Sequence, residues 1–115
     1  MSKRIQRVNQ LIKKELSQLL LREVEFPTDT LVTVTRVETS PDLREGRIFI
    51  SILPEAKTAR IIDFLNRKIY FLQQKINKKL KMKPLPKLKF FEERKTKEAG
   101  KIEEILEELK KELPQ

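Results

Sequence analysis

The stretch TARIIDFLNRKIYFLQQKINKKLKMKPLPKLKFF, residues 58–91, sets the architecture of the chain. Its first two dozen residues carry a helical period. At about 100° per residue, Ile61, Ile62, Leu65, Ile69, Leu72, Ile76 and Leu80 share one stripe of core-facing width. The opposite face gathers Arg60, Arg67, Gln74, Lys78 and Lys81, with Phe64, Tyr70 and Phe71 between the two. The whole stretch holds ten Lys/Arg against one acid, Asp63. Pro84 cannot continue a helix and Pro86 stiffens the exit, so the chain turns over 83–86. It re-emerges as a short strand, 87–91, of alternating charged and apolar residues.

On the N-terminal side, residues 31–39 (LVTVTRVET) are rich in β-branched side chains and read as a strand. Its apolar positions slip from Val32 and Val34 to Val37, which implies a bulge or a strand covered on both sides near its start. Ser40, Pro41, Asp42 and Gly46 bracket a polar connection. Residues 47–53 then alternate, with Ile48, Ile50 and Ile52 on one face, so the two strands form an antiparallel hairpin closed by Pro54. Residues 3–24 form a first helix, with Ile5, Val8, Ile12, Leu16 and Leu19 on one face and Pro27 beyond its end.

From residue 97 or 100 to 113 a last amphipathic helix is predicted, with Ile102, Ile105, Leu106, Leu109 and Leu113 on one stripe among glutamates and lysines. That stripe rests either on the core or on a partner surface, and the sequence alone leaves both open. The order helix, strand, strand, long helix, strand, terminal helix gives an α+β domain, a three-stranded sheet with helices on one face. Residues 1–93 form the domain and 94–115 the C-terminal helix or tail.

At 115 residues the chain is one domain, and its net charge of +9 is unevenly placed. Residues 1–91 hold 20 Lys/Arg against 9 Asp/Glu, whereas 92–115 hold 6 against 8. A basic body of this kind suits a polyanion partner. With no Cys there is no disulfide, thiolate nucleophile or Cys-rich metal site, and with no His the usual neutral-pH general base and commonest zinc ligand are gone. Two isolated glycines, Gly46 and Gly100, cannot build a phosphate-binding glycine loop or the Gly-x-x-Gly clamp of RNA-binding KH domains. No metal or cofactor is expected. Without a signal peptide or a long apolar run, the chain is expected in the cytoplasm.

Several short pieces, in this order and at these spacings, resemble the ribosome-binding factor A family: Arg7-Val8 in the first helix, Val32-Thr33-Val34-Thr35 with Val37-Glu38, Ser40, Asp42-Leu43, Ser51, and Pro86-x-Leu88-x-Phe90. The resemblance runs from about residue 4 to 109. It implies a KH-like fold of the type II order, in which a kink between two helices, typically at an Ala-x-Gly, replaces the glycine loop. Here the kink position reads Lys68-Ile69-Tyr70, without Ala or Gly, so either the break is made without glycine or the helix runs straighter, the latter helped by the unbroken stripe from Ile61 to Leu80. Where the family usually has Asp-Pro-Arg-Leu, this chain has Phe26-Pro27-Thr28-Asp29.

The resemblance implies a non-catalytic factor that binds the immature small ribosomal subunit, assists late maturation of its RNA near the 5′ end, and leaves. The residue reading agrees on a polyanion. Arg67, Lys68, Lys75, Lys78, Lys79 and Lys81 on the helix, Lys83, Lys87 and Lys89 after it, and Arg4 and Arg7 on the first helix are the candidate phosphate contacts. Tyr70 and Phe71 are candidates for stacking on unpaired bases. The expected partner is the small subunit and its RNA, with no membrane and no small-molecule substrate, and the expected state is a monomer. Two other readings are a general KH-like RNA-binding module without ribosome selectivity and a protein adaptor working through the last helix. A metal-dependent nuclease is disfavoured because Asp29, Asp42 and Asp63 are scattered.

Overall fold

A computed structural model describes residues 3–81 and 85–93. The helix α1 spans Lys3–Glu23, the strands β1 and β2 span Leu31–Thr39 and Glu45–Leu53, and a single 3-10 turn occupies Glu55–Lys57. The helices α2 (Thr58–Arg67) and α3 (Ile69–Leu80) follow, then the strand β3 (Lys87–Glu92). The turn at Pro84 and the expected terminal helix lie outside the described residues.

The sheet order is β1-β2-β3, with β1 antiparallel to β2 and β3 parallel to β2. A parallel neighbour cannot be reached by a tight turn, and α2 with α3 supplies the crossover. Val8, Ile12 and Leu16 of α1, Ile61 and Leu65 of α2, and Leu72 and Ile76 of α3 pack with Val34, Ile48, Ile50, Leu88 and Phe90 of the sheet in one buried core. The described helices therefore lie on one face of the sheet, as the alternation in the strands predicts. A buried polar pair locks α1 to the end of β1: the Thr39 hydroxyl donates to Asn9 Oδ1 at 2.9 Å.

The phase slip in β1 is a bulge. Val34 pairs with Ile50 but Arg36 pairs with Phe49, which leaves Thr35 as the extra residue. Val34 and Val37 can then both be buried although three positions apart. The Thr35 hydroxyl lies within donating distance of the Phe49 carbonyl oxygen (3.1 Å) and of the Glu93 carboxylate (3.0 Å). Arg36 donates to the same carboxylate and to Glu38, with its guanidinium 3.8 Å from the centroid of the Phe49 ring. The Glu93 contact raises the pKa of Arg36 above its ordinary value.

The link between β1 and β2 is held by one side chain. Ser40 Oγ donates to Asp42 Oδ1 at 2.6 Å and accepts from the N–H groups of Arg44 and Glu45, while Leu43 takes φ 58° at the apex. The hydrogen bond from Ser40, then that from the Arg44 N–H, holds the Asp42 carboxyl below the usual aspartate range. Gly46, which the sequence places in this link, is the second residue of β2. An added Cβ there would lie 2.8 Å from Leu88 Cδ2, so the glycine lets β3 approach closely.

The long helix does break. At Lys68 (φ −94°, ψ 7°) the N–H is shared between the Phe64 and Leu65 carbonyls, at 3.3 and 3.1 Å, before the Leu72 N–H to Lys68 C=O bond resumes the α pattern. Of the two readings the sequence leaves open, the break made without glycine is the one found, although the apolar stripe runs on unbroken. A negative φ suits any L residue, so the break needs no glycine. Beyond the break both helices remain over the free edge of β3. Asn66 Oδ1 accepts from the Phe90 N–H at 2.9 Å and its Nδ2 donates to the Phe90 carbonyl at 3.1 Å. Gln73 does the same one step along, accepting from the Leu88 N–H at 2.9 Å and donating to the Pro86 carbonyl at 3.1 Å. Two amide side chains thus close the outer edge of the sheet.

Candidate nucleic-acid interface

The candidate cations fall on two faces. On α3, residues 75 and 79 are one turn apart on the side turned to α1, whereas Lys78 points away from the core. Lys75, Lys78 and Lys79 line a groove of about 300 Å³ with Glu15, Arg22 and Glu23 of α1. The spacing of seven, four and seven puts Arg4, Leu11, Glu15 and Arg22 along one line of α1, and Glu15 and Arg22 of that line meet α3 in the groove. Arg4 and Arg7 border a second, shallow depression of about 380 Å³ near the start of the same helix. The basic strip therefore lies where α1 meets α3, at Arg22, Lys75, Lys78 and Lys79, and Arg4 and Arg7 continue it along α1 alone, about 27 Å from Arg4 to Arg22 at the helical rise. Its acids only partly offset it: Lys79 Nζ stands 4.0 Å from Glu15 Oε1, a contact at the limit of an ion pair.

Lys81 sits at the C-terminal cap of α3 in the left-handed region, φ 53°. At the break, Arg67 pairs with Asp63 at 2.6 Å across one exposed turn, and Lys68 Nζ lies 5.3 Å from the centroid of Phe64. An exposed pair of this kind contributes about 0.3–0.5 kcal/mol, so a phosphate can displace Asp63 at little cost. The two aromatic candidates diverge. Phe71 lies beside Lys75, whose Nζ is 5.4 Å from its centroid, while Tyr70 is 75% exposed and makes no hydrogen bond among the described residues. Tyr70 is the more open of the two, and Phe71 is still 45% exposed.

Lys87 and Lys89 alternate with the buried Leu88 and Phe90, so they project from the opposite, outer face of the sheet. Arg47 joins them there, paired in register with Lys89. The structure does not bring these lysines together with those of α3, because the sheet lies between. Lys83 is outside the described residues. Arg22 and Arg47 are further candidate cations that the sequence reading missed. Arg22 shows in the seven-residue line from Glu15, and Arg47 in the alternation of β2. Among the described residues no three His, Cys, Asp or Glu side chains gather at one point, and no helix is long and apolar enough to cross a membrane.

The profile of the family described as ribosome-binding factor A matches residues 4–106. The chain belongs to the ribosome-binding factor A family. A curated ribosome-binding factor A of Bdellovibrio bacteriovorus is 37% identical over 108 residues, covering 93% of this chain and 81% of the relative. The crystal structure of ribosome-binding factor A from Thermus thermophilus matches the fold with a TM-score of 0.67 at 21% identity, over 78% of this chain and 97% of that one. A homology model of the Thermus thermophilus factor, fitted into an electron cryomicroscopy map of its complex with the 30S subunit, matches with a TM-score of 0.63 at 25% identity, over 74% of this chain and 90% of that one. In this member of the family the break between α2 and α3 falls at Lys68, with no glycine.

Proposed function

We propose that this member of the ribosome-binding factor A family binds the maturing small ribosomal subunit through its RNA, assists late maturation near the 5′ end of that RNA, and dissociates, catalysing no reaction itself. The observation that carries the reading is the groove where α1 meets α3, which gathers Arg22, Lys75, Lys78 and Lys79, with Arg4 and Arg7 further along α1. The fitted complex of the Thermus thermophilus relative with the 30S subunit supports the choice of partner. Each phosphate neutralised by a cation of the strip releases counterions. Attraction of this kind is blind to sequence, so selectivity comes from fit to the folded RNA, with Tyr70 beside the break available to stack on an unpaired base. The factor works as a cytoplasmic monomer and shifts the RNA toward the conformation it binds better.

Co-sedimentation with small subunits, large subunits and free RNA at two salt concentrations tests this, with a variant carrying Lys75→Gln, Lys78→Gln, Lys79→Gln and Lys81→Gln beside the parent. Selective small-subunit binding that weakens with salt, and a variant whose log–log salt slope is shallower by up to roughly 3, are expected at about 0.7–0.9 per lost phosphate contact. Equal binding to every RNA reduces the protein to a general RNA-binding module. Binding untouched in the variant moves the interface to the outer sheet face, where Lys87→Gln with Lys89→Gln then abolishes it.

A further inference from the structure

The cations of this domain point in two directions that one surface cannot serve. On the helix side, Arg22, Lys75, Lys78 and Lys79 line the groove where α1 meets α3. On the far side of the sheet, Arg47, Lys87 and Lys89 line a second groove of about 450 Å³, bordered also by Asn66 and Ile69 at the edge of β3. The alternation of β3 buries Leu88 and Phe90 beneath the helices and turns both lysines outward. The register of the parallel pair then sets Arg47 of β2 beside Lys89. The Phe91 ring lies by both, its centroid 5.8 Å from the Arg47 guanidinium carbon and 5.6 Å from Lys89 Nζ, and it steadies the two charges at the groove.

This second cluster has no counter-charge of its own. Neighbouring cations repel, and none of the three makes an ion pair among the described residues. Glu45, the acid bordering the groove, is the register partner of Lys87 and does not pair with it, while Glu38, opposite Arg47 on β1, is bonded to Arg36. In the α1–α3 groove, by contrast, Glu15 and Glu23 stand among the cations, and Lys79 reaches toward Glu15. Three uncompensated cations along one groove fit a ligand that brings several negative charges in a row, which is the property of a nucleic-acid backbone.

We propose, resting on the reading of the α1–α3 groove as an RNA site, that the domain holds two segments of the RNA at once. One lies in that groove, and the second lies against Arg47, Lys87 and Lys89 on the opposite side of the sheet. Each cluster alone attracts any phosphate backbone. Together they read separation, because an RNA conformer that brings two segments to the two sides of the domain engages both clusters, and any other conformer engages one. The second contact is then intramolecular, and linked binding of this kind exceeds either contact by about 10²–10⁴-fold.

A short RNA hairpin, prepared with a fluorescent donor in one batch and an acceptor in another, tests this with the whole chain. With hairpin in excess, sedimentation velocity is expected to show two hairpins on one protein, with donor-to-acceptor transfer only when protein is present. An outer-face variant (Arg47→Gln, Lys87→Gln and Lys89→Gln) and a groove variant (Arg22→Gln, Lys75→Gln, Lys78→Gln and Lys79→Gln) each hold one hairpin and show no transfer. All seven side chains are exposed, so both variants melt with the parent, the check that they fold. One RNA carrying both hairpins on a flexible linker binds the parent about 10²–10⁴-fold more tightly than a single hairpin does, and neither variant shows that gain. A single hairpin on the parent overturns the proposal. If the outer-face variant still binds it and the groove variant does not, the α1–α3 groove stands and only the second site falls; the reverse pattern removes the reading of that groove as well. Two hairpins held by two copies of the chain assign the bridge to a dimer and overturn the proposal, as does transfer that survives in the outer-face variant.

Discussion

Asn66→Ala is expected to loosen the edge of the sheet. The even-numbered residues of β3 turn their backbone groups away from β2, and the Asn66 and Gln73 amides satisfy them at 2.9–3.1 Å. Removing one partner of a buried hydrogen bond costs about 1–3 kcal/mol for the group left behind. Here the bonds are half-buried, and a groove of about 450 Å³ bordered by Asn66 and Ile69 admits water, so the lower part of that range applies. A loss of about 1–2 kcal/mol follows for either amide. At roughly 4–8 °C per kcal/mol for a domain of this size, Asn66→Ala lowers the melting temperature by roughly 4–16 °C. Asn66→Asp keeps the shape and the acceptor but sets a second oxygen against the Phe90 carbonyl, so it destabilises at least as much as the alanine. Urea melts with an unchanged m-value read the stability, and amide exchange reads the place: Phe90 quickens in Asn66→Ala, Leu88 in Gln73→Ala. An unchanged urea midpoint together with a Phe90 amide that still exchanges slowly would show that the β2–β3 ladder holds the strand alone, and the clasp would have no role.

Glu93→Gln removes the charge that Arg36 and Thr35 share at the bulge, and urea melts should show a loss of about 1–2 kcal/mol, since Arg36 is half-exposed and retains Glu38. Gly46→Ala forces Leu88 aside in a packed core and is expected to cost about 1–3 kcal/mol; a melt equal to the parent's would mean that Leu88 simply changes rotamer. The depressed pKa of Asp42 makes its contribution to the Ser40 turn whole above the ordinary aspartate value of 3.8, with loss as the pH falls from there through the lower folded value. Protection of the Arg44 and Glu45 amides, read as exchange relative to the intrinsic rate at each pH, should therefore fall only on strong acidification in the parent and already be low at neutral pH in Asp42→Ala.

Much of the fold is legible because the strands obey period two and the helices period 3.6. The bulge is visible as a slip of the valine phase, since Val34 and Val37 cannot both face inward without an extra residue. The break at Lys68 is not visible, and the reason is physical: a bridge-region φ of −94° needs no particular residue, so the apolar stripe passes over it unmarked. The Asn66 and Gln73 clasp is hidden for a similar reason, because amides on the flank of a stripe look like solvated surface until the strand they serve is placed. The basic site is legible as a composition but not as a shape. Lys81 and Lys87 are six residues apart in sequence, yet the crossover that makes β3 parallel to β2 puts Lys87 and Lys89 on the outer face, away from the lysines of α3. Arg22, over fifty residues from Lys75, joins it because α1 and α3 pack together.

On the proposed reading, that division bears on how a factor that catalyses no reaction favours one state of an RNA. A ligand shifts a conformational equilibrium only by the difference in its affinity for the two states, and a shift from 1:99 to 99:1 takes about 5.5 kcal/mol. Phosphate attraction is common to every conformer, so the strip along α1 and α3 supplies affinity and little of that difference. Hydrogen bonds to charged groups contribute about 1.5–3 kcal/mol each, so roughly two to four contacts that form in one conformer and fail in the other are enough. On the proposed reading those contacts belong where geometry changes direction. The break at Lys68 is such a place, for there Arg67 is held by no more than an exposed pair with Asp63 and Tyr70 stands open to solvent. Binding strength and discrimination are then carried by different residues of one helix layer, the first on regular helix faces and the second at the interruption between them.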